Sequence, residues 1–277
     1  QPRLIDPEHL AARELVSPAN LGSLAEKLPF VVKAVTGEST GGGIDVYPCR
    51  GVADLDIARS RFEICREVVV EEWLEFDRSF CLSFAVGTDG SIRELGAAEQ
   101  ITLPDLTQQG SWFETLEPPA IMREACRRVV ERAASLGYAG ICGIDAADTK
   151  DGRTVLFDLN FRINASTIPR LMFDSVRKSR SEIGAAKVRS FAPEAAFEDI
   201  ARVVSSEIDR GAVLPYIVFD PEGHPAPNAR PVVRLLLLGE DRGAVLALEK
   251  ELDARFRSGS PGRVSSKGAS HTAPSPP

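Results

Sequence analysis

"GIDAADTKDGRTVLFDLNFRINAS", Gly143 to Ser166, places two aspartates in apolar runs on either side of an Asp-Gly pair. Asp-Gly between two alternating runs is a strong hairpin signal. With Asp151 and Gly152 as the central turn residues, Lys150 faces Arg153 and, counting back along both strands, Asp145 faces Asp158. Opposed residues bring their Cβ atoms about 4.5–5.5 Å apart, and like charges there destabilise a hairpin. A cation between them removes that cost. Asn160 and Arg162 follow Asp158 at two-residue steps and share its face. Gly143, opposite Asn160, is expected to leave that face open. Two carboxylates and an amide oxygen suit one or two Mg²⁺ ions, which keep waters and share their shell with phosphates. Mn²⁺ would accept the same donors. Arg162 beside them suits a phosphate or a developing anion. The plainer alternative is a solvated face on which Asp158 pairs with Arg162.

A second stretch lies upstream, "VVKAVTGESTGGGIDVY", Val31 to Tyr47. Lys33 sits in an apolar run, and Gly37-Glu38-Ser39-Thr40-Gly41-Gly42-Gly43 joins that run to the next. A Walker loop opens directly into a helix and carries its lysine at the end; this loop joins two strands and follows its lysine. Glycines still let backbone N–H groups converge on an anion. Ser39 and Thr40 add hydroxyl donors, and Lys33 supplies a point charge. Taken alone, the loop reads equally well as a hairpin tip with a surface lysine.

The 277 residues allow one large domain or two modest ones. A net charge of −7 excludes a general nucleic-acid footprint. No apolar run reaches the roughly 18 residues of a membrane span. Five scattered cysteines without CxxC spacing point to a reducing, cytoplasmic setting. The three histidines, His9, His224 and His271, are too far apart in sequence to suggest a zinc site or a Ser-His-Asp triad.

A helix is expected over Pro7–Val16, then a turn opened by Ser17-Pro18. Strands are expected at Phe30–Thr36, Gly43–Pro48, Glu67–Leu74, Ser79–Val86, Ile92–Ala97, Gly140–Ala147, Thr154–Asn164, Leu214–Phe219 and Val232–Leu238. Helices are expected at Asp54–Ile64, Pro118–Leu136, Ala195–Arg210 and Arg242–Arg257. Ile121, Ala125, Val129 and Ala133 mark the inner face of the second of these helices. Thr102–Trp112 reads as a variable loop, and the Ser/Pro-rich stretch 258–277 as a disordered tail. Strands and helices mix without strict alternation, so the class is α+β.

In order, the strand lysine VVK (Val31–Lys33), the loop GESTGGG (Gly37–Gly43), the acidic strand VVVEEWL (Val68–Leu74) and GID…FDLNFR (Gly143–Arg162) resemble the ATP-grasp superfamily. The likeness runs from Leu28 to Thr167, about half the chain, and four ordered motifs together are specific where each alone is weak. It implies an ATP-grasp fold, two α+β subdomains clamping ATP, with a small α/β C-terminal domain. It implies that Lys33 and the loop residues Ser39, Thr40, Gly41, Gly42 and Gly43 hold the phosphates. Glu71, Glu72, Trp73 and Leu74 would lie along adenine, and Asp77 near the ribose. Asp145, Asp158 and Asn160 would hold the Mg²⁺, with Arg162 stabilising an acyl phosphate or the attacked carboxylate. Glu99-Gln100 would either face the site or lie on the surface.

The implied chemistry is ATP-dependent and ADP-forming. A carboxylate of an amino acid or peptide becomes an acyl phosphate, and an amine displaces phosphate to give an amide. The stretch from Gly211 to Phe256 is similar to the C-terminal domain of the pheganomycin-type peptide ligases. Alternatives are a truncated or inactive ATP-binding module and a biotin-carboxylase-like enzyme. Superfamily members are often dimers, which leaves a homodimer open. No nucleic-acid or membrane partner is expected. The superfamily also has an N-terminal domain and a second nucleotide lysine well before the first, and both are expected to be missing here. The resulting division is 1–30, a remnant; 31–76, the lysine strand and loop; 77–180, the metal site; 181–257, the C-terminal domain; and 258–277, the tail.

Overall fold

The computed structural model describes residues 4–35, 45–114, 117–191, 197–220 and 232–259. Ser39 to Gly43 and the tail from 260 lie outside the described residues. Two antiparallel sheets make up the α+β fold. The smaller holds β1 (Arg13–Val16), β2 (Phe30–Ala34), β3 (Val46–Cys49) and β4 (Val68–Glu72) in the order β1-β4-β2-β3. Helix α1 (Val52–Arg61) and a 3-10 segment over Pro18–Lys27 cover one of its faces. Val32, Val68 and Val70 point into that core. Alternation therefore sends Arg13, Val31, Lys33, Val69 and Glu71 to the opposite, inner face.

The larger sheet has eight strands. These are β5 (Ser79–Val86), β6 (Ile92–Thr102), β7 (Gln108–Glu114), β8 (Gly140–Asp148), β9 (Thr154–Asn160), β10 (Ala185–Phe191), β11 (Val213–Phe219) and β12 (Val232–Gly239), ordered β11-β12-β10-β7-β6-β5-β8-β9. Helix α2 (Ala120–Ser135) packs Met122, Cys126 and Val130 on Leu82, Phe84, Ile144 and Leu156. Each such fully buried side chain contributes roughly 1.5–3 kcal/mol. Helices α4 (Phe197–Asp209) and α5 (Arg242–Gly259) cover the far end through Ile200, Val204, Val245 and Leu252. On the other face, α3 (Thr167–Ser179) sets Phe173 against Phe113, Ala98 and Leu236. Asp145, Asp158, Asn160 and Gln100 share this face.

Several expectations change. The helix expected over Pro7–Val16 is a 3-10 turn at Pro7–His9 followed by β1. The backbone of β1 pairs with β4 from Arg13–Glu71 to Val16–Val68, and tertiary pairing overrides the local spacing. Thr102–Trp112 is not one loop: β6 runs to Thr102 and β7 starts at Gln108. Helix α3 and strand β10 were not anticipated. On α2, Ile121 is 60% exposed, and the inner face is Met122, Ala125, Cys126, Val129, Val130 and Ala133. Strand β9 ends at Asn160, so Arg162 lies past the sheet.

The β8–β9 hairpin reaches its expected pairing by an unexpected route. Its turn is one residue longer: Thr149 N–H donates to Arg153 O, with Gly152 at a φ of 88°. Near the turn Asp148 pairs with Thr154 and Ala146 with Leu156, one residue off the expected register. A bulge at Phe157 then restores it, so that Asp145 faces Asp158 and Gly143 faces Asn160.

The sheets meet around this hairpin. Arg153 donates two hydrogen bonds to Glu72, at 2.9 and 3.1 Å, and Lys150 N–H donates to Glu75 O at 2.7 Å. At the other end, β10 joins the sheet beside Gly110, where an added Cβ would lie 2.7 Å from the Val188 carbonyl oxygen. Gly110→Val should push β10 from β7 and cost about 1–3 kcal/mol, read as a lower urea midpoint. An unchanged midpoint would refute the close approach.

Candidate active site

Phe157 turns its bulged carbonyl toward the smaller sheet and accepts a hydrogen bond from Lys33 Nζ at 3.2 Å. Its ring stacks with Phe76, centroids 6.0 Å apart and planes 7° from parallel. Lys33 also forms an ion pair with Glu71. Glu71 is buried and takes a second cation, Arg13 Nη1, at 3.3 Å. The lysine of the sequence motif thus lies one residue from the aspartate of the hairpin motif, although the two are far apart in sequence.

On the larger sheet, Asn160 Nδ2 donates to Asp158 Oδ2 at 2.8 Å. Gln100 Nε2 reaches across β5 to donate to Asp145 Oδ2 at 2.9 Å. Cys81 on β5 pairs with Asp145 on one side and with Ala98, two residues from Gln100, on the other, and is small enough to let the two side chains meet diagonally. Asp145 Oδ1 is buried without a hydrogen-bond partner. Burial, and then the Asp158 charge, push the Asp145 carboxyl up to about 7. The Arg162 charge acts the other way, which places Arg162 within electrostatic reach of Asp145.

A buried carboxylate oxygen without a donor costs free energy unless a cation completes it. Two carboxylates and an amide oxygen are a hard donor set, so these residues fit Mg²⁺. Among the described residues no three His, Cys, Asp or Glu side chains converge. A site with two protein carboxylates leaves the rest of the shell to waters and phosphate oxygens.

The space over Gly143 is not open, as the sequence suggested. Asn164 Nδ2 fills it, and a Cβ there would lie 1.9 Å from that nitrogen. Asn164 Nδ2 donates to Cys81 Sγ at 3.1 Å, and its Oδ1 accepts from Ser166 and Thr167. This staple fixes the chain just after Arg162. Sequence reasoning missed it, since an Asn two residues past an Arg carries no signal by itself.

The segment after β4 is more mixed. The Glu72 carboxylate is engaged by Arg153 and by Ala12 N–H at 2.9 Å, and Arg153 holds it below the usual range. Its side chain therefore ties the sheets together. The Arg50 guanidinium sits 5.0 Å from the centre of the Trp73 ring, and it also donates to Pro104 O. Leu74 is half-buried beside it. Asp77 is exposed and pairs with Lys150 at 3.4 Å. Of the pair Glu99-Gln100, Gln100 faces the site, while Glu99 binds Arg78 and Arg242 on the other face.

A family model described as L-aspartate–L-methionine ligase, ATP grasp, matches residues 11–160, more than half of the chain. It spans β1 to β9 and contains Lys33, Glu71, Asp145, Asp158 and Asn160. Among solved structures, an ADP complex of N5-carboxyaminoimidazole ribonucleotide synthetase aligns with a TM-score of 0.64 at 18% identity, over 91% of this chain and 68% of that one. The Aspergillus clavatus carboxyaminoimidazole ribonucleotide synthase, complexed with ATP, aligns at 0.63 and 12% identity, over 90% and 69%. Campylobacter jejuni biotin carboxylase aligns at 0.60 and 12% identity, over 94% and 69%. At these identities the likeness shows the fold, the two-sheet ATP-grasp arrangement.

The raised Asp145 carboxyl has a pH signature. Without a cation the fold favours its neutral form. Its contribution to stability is full below about pH 4 and fades as pH rises through about 7. Asp145→Asn should flatten the change in melting temperature between about pH 5 and 8. Mg²⁺, which needs the charged form, should bind wild type more tightly at the upper end of that range. Equal slopes in the two proteins would sink this assignment.

Proposed function

Because the chain belongs to the L-aspartate–L-methionine ligase family of ATP-grasp proteins, we propose that it joins two amino acids, or an amino acid and a peptide, through an amide bond. The family reaction is ATP-dependent, ADP-forming ligation of a carboxylate to an amine, and the chain is an enzyme of that C–N bond-forming class. The observation that carries the reading is the pair Asp145–Asp158 with its unpartnered Oδ1, one residue from the carbonyl that anchors Lys33.

In this reading, Asp145, Asp158 and Asn160 would hold Mg²⁺, which when bound would supply charge neutralisation for the phosphates. Lys33 and the loop Ser39–Gly43 take the β- and γ-phosphates, and Val31 and Val69 offer an apolar wall to the base. The backbone of Glu71 to Leu74 offers hydrogen bonds to the adenine edge, and Asp77 lies toward the ribose. One substrate carboxylate oxygen bonds to the γ-phosphorus, and the bond to the β,γ-bridging oxygen breaks, releasing ADP. Arg162 stabilises the resulting acyl phosphate. The neutral amine then adds to its carbonyl carbon, phosphate leaves with the bonding pair, and the nitrogen loses a proton. No side chain becomes covalently attached.

Residues 31–76 make the subdomain of the lysine strand, to whose sheet β1 adds, residues 77–180 the subdomain with the metal site, and residues 181–257 a small C-terminal part whose strands extend the larger sheet. Cys49, Cys65, Cys81, Cys126 and Cys142 are all free, which supports a cytoplasmic setting. No helix among the described residues is long and apolar enough to cross a membrane. Carboxylation of the biotin-carboxylase type rests on fold alone and would show as bicarbonate dependence.

The test is ADP release with ATP, Mg²⁺ and pairs of amino acids, beginning with aspartate and methionine. Wild type should release ADP only when both an acid and an amine partner are present. Asp158→Asn should slow release by at least about a hundredfold. Mg²⁺-dependent ATP binding without turnover on any pair would favour an inactive binding module.

A further inference from the structure

Within the four strands of the smaller sheet, the charged side chains on the inner face are Arg13, Lys33 and Glu71. Both cations bind the same carboxylate, Arg13 at Oε1 and Lys33 at Oε2. Two positive charges against one negative leave a surplus of one. The surplus is poorly solvated: the Arg13 side chain is 17% exposed and that of Lys33 24%. Arg13 Nε spends its proton on Ala11 O at 3.4 Å, but Nη2 is buried with no hydrogen-bond partner. A half-buried guanidinium with unspent N–H groups is costly unless an anion completes it. The opposite wall carries Asp145 and Asp158, where a metal ion would be held. Lys33 bridges the walls, bonded to Glu71 on one side and to the Phe157 carbonyl on the other. A ligand that suits both walls has oxygens for a metal at one end and spread negative charge for two cations at the other. A polyphosphate chain has both, and a guanidinium matches its oxygens through paired N–H groups.

We propose that Arg13, on the edge strand β1, is a second phosphate-binding cation that acts with Lys33 on the nucleotide phosphates, and that Glu71 holds both side chains in place before the nucleotide arrives. The inference rests on the ATP reading given above. Arg13 and Lys33 then exchange part of their pairing with Glu71 for phosphate oxygens, so binding costs no new buried charge.

The experiment is calorimetric titration of MgADP and of adenosine into wild type, Arg13→Lys, Arg13→Gln, Glu71→Gln and the double variant Arg13→Gln/Glu71→Gln. Arg13→Gln leaves Glu71 paired with Lys33, so the sheet should hold, and the double variant reads the effect of Arg13 where residue 71 carries no charge. Arg13→Gln should weaken MgADP about tenfold or more and leave adenosine unchanged, and Arg13→Lys should recover most of the loss. In the Glu71→Gln background, Arg13→Gln should still weaken MgADP. If that loss vanishes when Glu71 is neutral, Arg13 only supports Glu71 and the proposal falls. It falls equally if Arg13→Gln binds MgADP like wild type. A wild-type protein that binds no MgADP overturns the ATP reading itself, and this inference with it.

Discussion

Two like charges face each other across a pair of hydrogen-bonded strands, and the rest of the molecule is arranged to make that tolerable. Asp145 and Asp158 repel at the distance of directly opposed residues. Gln100 and Asn160 each donate to one of them, which orients the carboxylates without neutralising them. Compensation has to come from outside the hairpin. The inner face of the smaller sheet supplies charge of the opposite sign, and the cleft between the sheets becomes a gap with a negative floor and a positive roof. Such a gap favours a ligand that carries its own cation and its own anion at once.

The joints between the sheets leave that gap accessible. Glu72–Arg153 and the Glu75–Lys150 backbone bond lie near the hairpin turn, while Lys33–Phe157 lies at the cleft. The outer joints involve half-exposed side chains and backbone, so they set an angle more than they add stability. The staple at Asn164 does for the far side of the site what these joints do for the near side.

Legibility in the sequence followed the range of the interactions. Asp145 and Asp158 could be paired by counting from one turn, and Lys33 could be placed on a strand, because both readings use only alternation. The strands themselves were visible where apolar runs were long, as in β5. Arg13 was hidden because its strand owes its existence to β4, far along the chain, and its own spacing suggested a helix. Strand β7 was hidden because Gln108-Gln109-Gly110-Ser111 looks like a loop until a neighbour satisfies its backbone. Gln100 could be narrowed to a pair with Glu99, but choosing between them needed the register of β6.

The bulge at Phe157 has a consequence in the language of insertions and deletions. Phe157 is the residue of β9 left without a partner, between Leu156 opposite Ala146 and Asp158 opposite Asp145. Deleting it would leave those two pairs consecutive, so the carboxylates would still face each other. What would be lost is the carbonyl that Lys33 bonds and the ring that stacks with Phe76. A one-residue deletion here should therefore spare the facing aspartates and uncouple the lysine strand from them.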